Sequence, residues 1–299
     1  MILVAGGSGF IGAAVVRKLV SQRKDVAVMT AHPDRSRARV EGMGARVVMG
    51  DVLDPPSLDR AMQGADAVVQ ALTFPTFPVE KPRKRYTFEE FEHLGTARLV
   101  IAATRAGAGR YVYSSGAGAA PDSSKVWYRA KWSGEEAIRA TGIPHAIIRP
   151  SWVYGPEDRA LNKFVAFHRW LPFVPVIGDG SQRLQPVFVE DVAEAIAQAA
   201  VPTGPAGTFE IGGPEVLTMN EVLRTMMDVR GKVKPLLHFP VFLPKLAGFF
   251  LQILPKPPLS PDAVDFATAD AVADTSKLLQ EFDLTLTPLL AGLSTYLAP

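Results

Sequence analysis

Residues 2–12 read Ile-Leu-Val-Ala-Gly-Gly-Ser-Gly-Phe-Ile-Gly, a short apolar run that leads directly into spaced glycines. This pattern predicts a buried strand that turns tightly into a helix. Gly6 suits the tight turn, Gly9 leaves room for a pyrophosphate beside the backbone, and Gly12 lets the helix pack closely on the strand. The amide groups at the start of the helix would favour the phosphate charge. The sequence therefore predicts a dinucleotide site, and a tight turn without a ligand is the alternative. We assign to this site Gly6, Ser8, Gly9, Phe10, Ile11 and Gly12.

Short apolar runs alternate with segments of helical periodicity through the first half of the chain. We predict strands at 2–5, 26–29, 46–49, 67–71, 110–113 and 145–149. We predict crossover helices at 12–20, 33–41, 57–62, 88–106 and 132–140. Such alternation is typical of a parallel sheet covered on both faces. Right-handed crossovers then give an α/β fold, a Rossmann-type doubly wound parallel sheet.

The second half of the chain is less regular and contains more proline. Helices are predicted at 162–170, 189–200, 219–229 and 276–282, while a proline-rich run from 235 to 261 interrupts regular structure. We therefore predict a dinucleotide-binding domain at 1–150. A smaller C-terminal α/β lobe at 151–299 would serve a substrate or a protein partner and interleave with the first domain in space.

Composition excludes several classes of function. The 299 residues carry 32 Lys+Arg against 30 Asp+Glu, a formal net charge of +2, which disfavours general nucleic-acid binding. There is no cysteine, and the five histidines are isolated from other ligands in sequence, so we predict no metal. The lack of cysteine suits a reducing compartment, and we expect a cytoplasmic location. The chain has no Gly-x-Ser-x-Gly motif, and esterase chemistry is therefore unsupported.

The residues after the second predicted strand bear on the choice of cofactor. No acid stands beside Ala31 and His32, where an acid would bind the ribose hydroxyls of NAD. Arg35 and Arg37 follow and supply guanidinium groups that pair with a 2′-phosphate. This favours NADP(H) and leaves NAD(H) open, and the arginines have solvation of a helix surface as their alternative role. Asp51, after the third strand, is expected either to accept a hydrogen bond from the adenine amino group or to cap a turn.

Five segments in chain order resemble the extended and atypical short-chain dehydrogenase/reductase superfamily. They are residues 6–12, 50–51, 95–96 with 110–115, 148–151 with 153–156, and 186–193. Tyr128-Arg129-Ala130-Lys131-Trp132 and the later Glu157-Asp158-Arg159 most resemble the branch that includes the 39 kDa accessory subunit of respiratory complex I. The resemblance implies a dinucleotide held across the carboxyl ends of the strands, with substrate or partner contacts from the C-terminal lobe. It adds to the cofactor site Val52, Ala71, Leu72, Ser114, Lys131, Pro150, Ser151 and Val153.

The usual chemistry of this superfamily needs a tyrosine four residues before a lysine, so that the lysine lowers the phenol pKa and contacts a ribose. Trp127 occupies that tyrosine position here, and Tyr128 lies only three residues before Lys131. The accompanying serine position falls on Gly116, and Ser115 is one residue away. Tyr128, Lys131 and Ser115 are thus the candidate catalytic residues.

Three functions are compatible with the replacement of the usual catalytic tyrosine and serine by Trp127 and Gly116. The first is an NAD(P)(H)-binding protein with weak or absent conventional dehydrogenase activity, whose nucleotide is structural or regulatory. The second is an active NADP-dependent reductase or epimerase on a quinone-like, isoprenoid-like or sugar-derived substrate. The third is a respiratory-complex-associated subunit or assembly module.

Two segments of the sequence are candidates for contact with a protein partner or a membrane. The basic run 81–85 follows Phe74 and Phe77 in a long connection, which suits a flap over the cofactor, a docking patch or a solvated loop. The apolar stretch 239–254 is too short to span a bilayer, which takes about 20 residues. It either packs on its own lobe or makes peripheral contact with a partner or with the inner face of a membrane. Its apolar residues include Phe242, Leu243, Leu246, Phe249, Phe250 and Ile253.

Overall fold

Strands and helices alternate through the first half of the chain in the computed structural model, which describes residues 1–251 and 261–298. In chain order the elements are β1 (Ile2–Ala5), α1 (Phe10–Ser21), β2 (Val26–Thr30), α2 (Pro33–Gly42), β3 (Arg46–Met49), α3 (Pro55–Ala61), β4 (Ala67–Gln70), α4 (Leu94–Arg105), β5 (Arg110–Ser114), α5 (Val126–Ala140) and β6 (His145–Pro150). A π-helical turn at Glu89–His93 precedes α4. It divides the segment predicted as one helix at 88–106. Helix α5 begins six residues before its predicted start at 132.

Shorter elements follow in the second half. They are β7 (Trp152–Tyr154), α6 (Leu161–Trp170), β8 (Val174–Ile177), β9 (Arg183–Leu184), β10 (Pro186–Phe188), α7 (Val189–Ala199), β11 (Gly207–Ile211), β12 (Leu217–Thr218), α8 (Met219–Val229), β13 (Leu236–Phe239), α9 (Phe242–Leu251), α10 (Pro261–Ala267), α11 (Ser276–Glu281) and α12 (Leu289–Leu297). The four helices predicted in this half correspond to α6, α7, α8 and α11. No helix in the described ranges is long and apolar enough to cross a membrane.

In the described residues, seven parallel strands form the main sheet in the order β11-β6-β5-β4-β1-β2-β3. The predicted Rossmann-type doubly wound sheet is therefore confirmed. Strand order reverses between β1 and β4, where Ala5 pairs with Gln70. In folds of this kind a ligand binds beyond the carboxyl ends of the strands at that reversal.

The sheet core follows from continuous apolar runs. Leu3, Val4, Val28 and Val69 are fully buried, as expected for strands covered on both faces. The seventh strand, β11, pairs in parallel with β6 and was not predicted.

The chain divides into two compact units. The first contains Met1–Pro150, Val189–Ile211 and Ala273–Thr285, and the second contains Ser151–Phe188, Gly212–Val272 and Leu286–Pro299. The main sheet belongs to the first unit. Three two-stranded pairs, β7 with β10, β9 with β12 and β8 with β13, belong to the second.

Candidate dinucleotide-binding site

The glycine loop joins β1 to α1 at the point where strand order reverses. Gly6 has φ +84°, and a Cβ on Gly6 would overlap the carbonyl oxygen of Ala71. A Cβ on Gly12 would overlap the carbonyl oxygen of Gly6. Both glycines are therefore needed for the backbone path itself. Leu72 also lies against Gly6, so the predicted contacts Ala71 and Leu72 border the loop.

Gly9 differs from the other two glycines. Its backbone is extended, with φ −84° and ψ −178°, a conformation open to any residue. A Cβ there would lie 3.2 Å from the Gly6 oxygen, and the residue is exposed. This contact is tight but does not overlap, so the fold demands glycine less strongly here than at Gly6 and Gly12, which fits a need for close approach by a ligand.

The N-terminus of α1 is open to an anion. Gly9 is its N-cap residue and provides no side-chain cap, and the first turn contains no acidic residue. The first amide groups of a helix lack partners within the helix, and they carry the positive end of its dipole. Phe10 and Ile11 supply such amides here. The loop is a cradle that suits the pyrophosphate of a dinucleotide.

The segment after β2 borders the predicted adenosine end of the site. His32 is the N-cap residue of α2, and its amide donates to Thr30 Oγ1 at 3.1 Å. Arg37 pairs with Glu41 at 3.3 Å, with about half of each side chain exposed. Arg35 is exposed and has no ion-pair partner among the described residues. Arg35 is thus the more available of the two guanidinium groups for a 2′-phosphate.

Asp51 closes a turn after β3. Its Oδ1 accepts the Leu53 amide at 2.9 Å, and its own amide donates to Ser57 Oγ at 2.9 Å. The turn-capping alternative therefore accounts for one carboxylate oxygen, and the adenine contact stays a prediction. The neighbouring Val52 is buried, and its carbonyl oxygen accepts a hydrogen bond from Arg98.

Lys131 forms a buried ion pair that the sequence did not reveal. Its Nζ lies 2.9 Å from Glu92 Oε2 and 3.4 Å from the carbonyl oxygen of Ser114. Glu92 is 1% exposed and lies in the π-helical turn, and the Tyr113 hydroxyl donates to the same Oε2 at 3.2 Å. Glu92 Oε1 has no hydrogen-bond partner among the described residues. The structure therefore brings together Lys131 and the Ser114 backbone, both of which we assigned to the cofactor site, and adds Glu92 to them.

The Tyr113 phenol is held neutral in this cluster. Burial raises its pKa well above the usual value, and the negative charge of Glu92 raises it further. Tyr113 therefore donates a hydrogen bond and carries no charge at neutral pH.

Ser115 belongs to a different buried cluster. Its hydroxyl donates to Glu135 Oε1 at 2.6 Å, and Glu135 is fully buried on α5. Arg149 binds both oxygens of Glu135, at 2.8 and 2.6 Å, and Arg139 lies 2.8 Å from Oε2. Burial by itself lowers the pKa of Arg149, but the hydrogen bonds and charge of Glu135 raise it above its usual value. The hydroxyl hydrogen of Ser115 is thus committed to a structural carboxylate.

Tyr128 and Lys131 lie one turn apart on α5 and border the same backbone position. A Cβ on Gly116 would lie 3.4 Å from Lys131 Cδ and 3.5 Å from Tyr128 Cε1. Burial raises the pKa of the Tyr128 phenol, and the indole of Trp127 partly opposes that rise. Trp127, at the usual tyrosine position, is buried with its ring 6.2 Å from that of Phe88.

The remaining predicted contacts belong to different units. Pro150 ends β6 in the first unit, where its carbonyl oxygen accepts the Ala117 amide at 2.9 Å. Ser151 and Val153 lie in the second unit, and the Ser151 hydroxyl donates to the carbonyl oxygen of Gln185. Within the described part of the chain, no group of three or more His, Cys, Asp or Glu residues is placed to hold a metal ion.

The basic run is tied to the body of the first unit. Arg85 binds both carboxylate oxygens of Glu90, at 3.1 and 2.9 Å. Phe74 and Phe88, on either side of the run, are buried with ring centroids 5.0 Å apart. The connection is therefore anchored at both ends, while Arg83 stays exposed.

The glycine cradle, the open helix N-terminus and the strand reversal together define a Rossmann-type dinucleotide-binding protein. A family model described as NAD(P)H-binding matches residues 6–200. The chain belongs to this NAD(P)H-binding family, and its resemblance to short-chain dehydrogenase/reductases is confirmed.

Three similar proteins show how widely this architecture is used. The chain is 31% identical over 299 residues to the Arabidopsis thaliana mitochondrial NADH dehydrogenase [ubiquinone] 1 alpha subcomplex subunit 9, covering 94% of this chain and 73% of that protein. It is 29% identical to a ceramide reductase of Caulobacter vibrioides, covering 80% of this chain and 74% of that protein. The Thermus thermophilus UDP-glucose 4-epimerase in complex with NAD shares the fold, with a TM-score of 0.74, 20% identity and coverage of 99% and 97%.

Proposed function

We propose that the protein binds NADP(H) in preference to NAD(H) and keeps the nucleotide as a structural or regulatory group, with weak or absent conventional dehydrogenase activity. One observation carries this proposal: buried carboxylates hold two of the three candidate catalytic residues. Glu92 holds Lys131, and Glu135 holds Ser115.

Binding and catalysis make different demands on Lys131. An ammonium group has three hydrogens, and Glu92 and Ser114 account for two of them. The third is available to a ribose hydroxyl. Lowering a phenol pKa instead requires uncompensated positive charge, and the carboxylate of Glu92 cancels most of that field.

A nicotinamide dinucleotide supplies hydride-transfer chemistry when bound, and the chain supplies the cradle for it. The amides of Phe10 and Ile11 suit the pyrophosphate, and Lys131 suits a ribose hydroxyl. Arg35 supports the preference for NADP(H), because it is exposed without an acidic partner among the described residues and stands in the first turn of α2.

Calorimetric titration of nucleotide-stripped protein with NADPH and NADH tests the proposal. The Gly9→Val variant keeps an allowed backbone and places a branched side chain at the cradle, so we expect it to lose the binding heat. The Gly42→Val variant is the matched control, because a Cβ at Gly42 meets nothing within 4 Å. Absence of heat with both nucleotides in the wild-type protein would overturn the proposal.

A second candidate function is active reduction or epimerisation of a quinone-like, isoprenoid-like or sugar-derived substrate. It is favoured by the placement of Tyr128 and Lys131 against the same position, Gly116, and by the similarity to a protein named ceramide reductase. NADPH oxidation with a panel of such substrates tests it. Turnover that the Tyr128→Phe change leaves intact would exclude Tyr128, and Ser115→Ala tests the other candidate in the same way.

A third candidate is a subunit or assembly role in a respiratory complex, supported by the similarity to complex I subunits over most of the chain. Native electrophoresis of gently solubilised membranes tests whether the protein migrates with such a complex. Charge reversal at Arg83, with and without reversal at Arg85, tests the basic run. Unchanged migration of both variants would exclude that surface.

A further inference from the structure

Helix α9 presents its apolar side chains to solvent. Five of them form the α9 surface, defined by Phe242 (64% exposed), Leu243 (44%), Leu246 (54%), Phe249 (58%) and Phe250 (62%). At about 100° per residue, these positions share one side of the helix with exposed Ala247. Gly248 is buried on the opposite side. A helix that packed in its own unit would show the reverse arrangement.

The packing of α9 explains which side is covered. Lys245 lies on the less exposed side, and its Nζ is 2.6 Å from Asp265 of α10. The one charged residue of the described helix is therefore paired with an acid of the second unit, and the two side chains are 42% and 36% exposed. The outer side is left without charge. Ile253 and Leu254, the last residues of the apolar stretch predicted from sequence, lie outside the described residues.

The sequence around α9 is rich in cations. Residues 229–261 contain five Lys or Arg and no Asp or Glu, and residues 159–178 contain three Lys or Arg and no acid. The two segments meet in the β8–β13 pair, where Leu236 registers with Val174. Exposed Trp170 and Val233, 77% and 74% exposed, lie just before these strands. Exposed apolar residues and cations thus lie close to each other in sequence on both segments of this strand pair, and α9 begins three residues after β13.

A cleft beside β13 adds to this charge. It has a volume of about 420 Å³ and is lined by Arg224, Lys234 and His238, with Asp228 as its acid. Apolar Val233 also lines the cleft. Lys234 Nζ donates to the carbonyl oxygens of His168 and Leu171, at 2.5 and 2.6 Å, so its ammonium group is held against the protein. Arg230 Nε lies 3.2 Å from His168 Nδ1, and Lys232 is the exposed cation of this segment.

We infer that the second unit binds the surface of an anionic lipid bilayer, with the α9 surface buried in the interface and the exposed Lys232 facing the headgroups. Apolar residues that include several aromatics, next to basic residues, are typical of helices that lie in the plane of a membrane. Clustered Lys and Arg residues are attracted to anionic lipid headgroups. A ten-residue helix is about 15 Å long and lies in the interface without crossing it.

The charge pattern favours a bilayer over a second copy of the chain. The cations flank the uncharged α9 surface, and an anionic bilayer would attract them, whereas a second copy would bring the same positive charge. The proposal does not depend on bound nucleotide.

Vesicle flotation of the full-length protein tests the inference. We expect it to float with vesicles of 30% phosphatidylglycerol and 70% phosphatidylcholine, and at least tenfold less with pure phosphatidylcholine. The double change Phe249→Glu/Phe250→Glu should lower binding at least tenfold. Lys232→Glu should weaken binding to the anionic vesicles alone.

Leu290→Glu is the matched control, because Leu290 is 55% exposed on α12 outside the α9 surface and should float like wild type. Unfolding midpoints and NADPH titrations of all variants establish that the fold is kept. Wild-type protein that stays at the bottom of the gradient overturns the inference. So does a Phe249→Glu/Phe250→Glu variant that floats normally, or a wild-type dimer in solution that those changes dissociate.

Discussion

The ion pair between Lys131 and Glu92 predicts how variants of these two residues change the free energy of unfolding. Lys131→Met removes the cation that compensates a carboxylate with 1% exposure, one of whose oxygens already lacks a partner among the described residues. Only the Tyr113 hydroxyl would then support Glu92. Removing one member of a buried pair costs about 3 to 5 kcal/mol, so we expect a loss near 3 kcal/mol in the free energy of unfolding at pH 7.

The reciprocal change should cost less. Glu92→Gln leaves Lys131, whose side chain is 17% exposed, in contact with both solvent and the Ser114 carbonyl oxygen. We expect a loss of about 1 kcal/mol for this change and a similar loss for the double variant, which contains neither charge. The resulting coupling energy is about 2 to 3 kcal/mol.

Urea unfolding of the four proteins measures this cycle, and calorimetry adds the functional readout. Lys131→Met should weaken NADPH binding about tenfold, because one charge-assisted hydrogen bond to the ribose is lost. Glu92→Gln should bind NADPH at least as tightly as wild type, because its lysine is released. A coupling energy below about 0.5 kcal/mol, or wild-type NADPH affinity in Lys131→Met, would refute the assignment.

Three further predictions follow from single side chains. Arg35→Ala should weaken NADPH binding about tenfold and leave NADH binding unchanged in calorimetry, while Arg39→Ala on the same helix serves as control. Ser115→Ala should lower the free energy of unfolding by about 2 kcal/mol in urea titrations, because a hydrogen bond to the buried charge of Glu135 is lost; an unchanged midpoint contradicts this. Burial raises the pKa of Asp158, whose Oδ2 lacks a partner among the described residues. Because the unfolded chain ionises this carboxyl more readily, the free energy of unfolding falls as the pH rises above about 4. Asp158→Asn keeps an Oδ1 acceptor for the Leu161 amide and should stabilise the protein by about 1 kcal/mol at pH 7, with the gain vanishing near pH 4; equal gains at both pH values would count against it.

The main sheet was predictable because its strands are buried on both faces and read as continuous apolar runs. All six predicted strands match the structure within one residue at each end. Strand β11 was missed because its buried residues, Phe209 and Ile211, alternate with partly exposed ones at the edge of the sheet. The strands of the second unit have two to four residues, too few for any periodicity to appear.

The site was predictable where it depends on the local backbone conformation. It was not predictable where it depends on contacts between side chains that are distant in sequence. Gly6 and Gly12 can be recognised in the sequence because a tight strand-to-helix turn needs both glycines within one short segment. The partners of Lys131 and Ser115 lie 39 and 20 residues away, so only the packing of α5 against the π-helical turn and β6 reveals them. A glutamate within a helical stretch carries no sign in the sequence that it is buried.

Sequence and structure bear on the reaction in different ways. The sequence shows that Trp127 and Gly116 stand where the superfamily's tyrosine and serine would be, which leaves open a shifted reaction through Tyr128 and Ser115. The structure commits the hydroxyl hydrogen of Ser115, since moving Ser115 would leave a fully buried carboxylate with one donor fewer, and it places no such constraint on Tyr128. It leaves Lys131 one hydrogen for a ribose while pairing its charge with Glu92. Our proposal therefore separates nucleotide binding from chemistry in this chain, because binding requires a hydrogen-bond donor, whereas lowering a phenol pKa requires an unpaired positive charge.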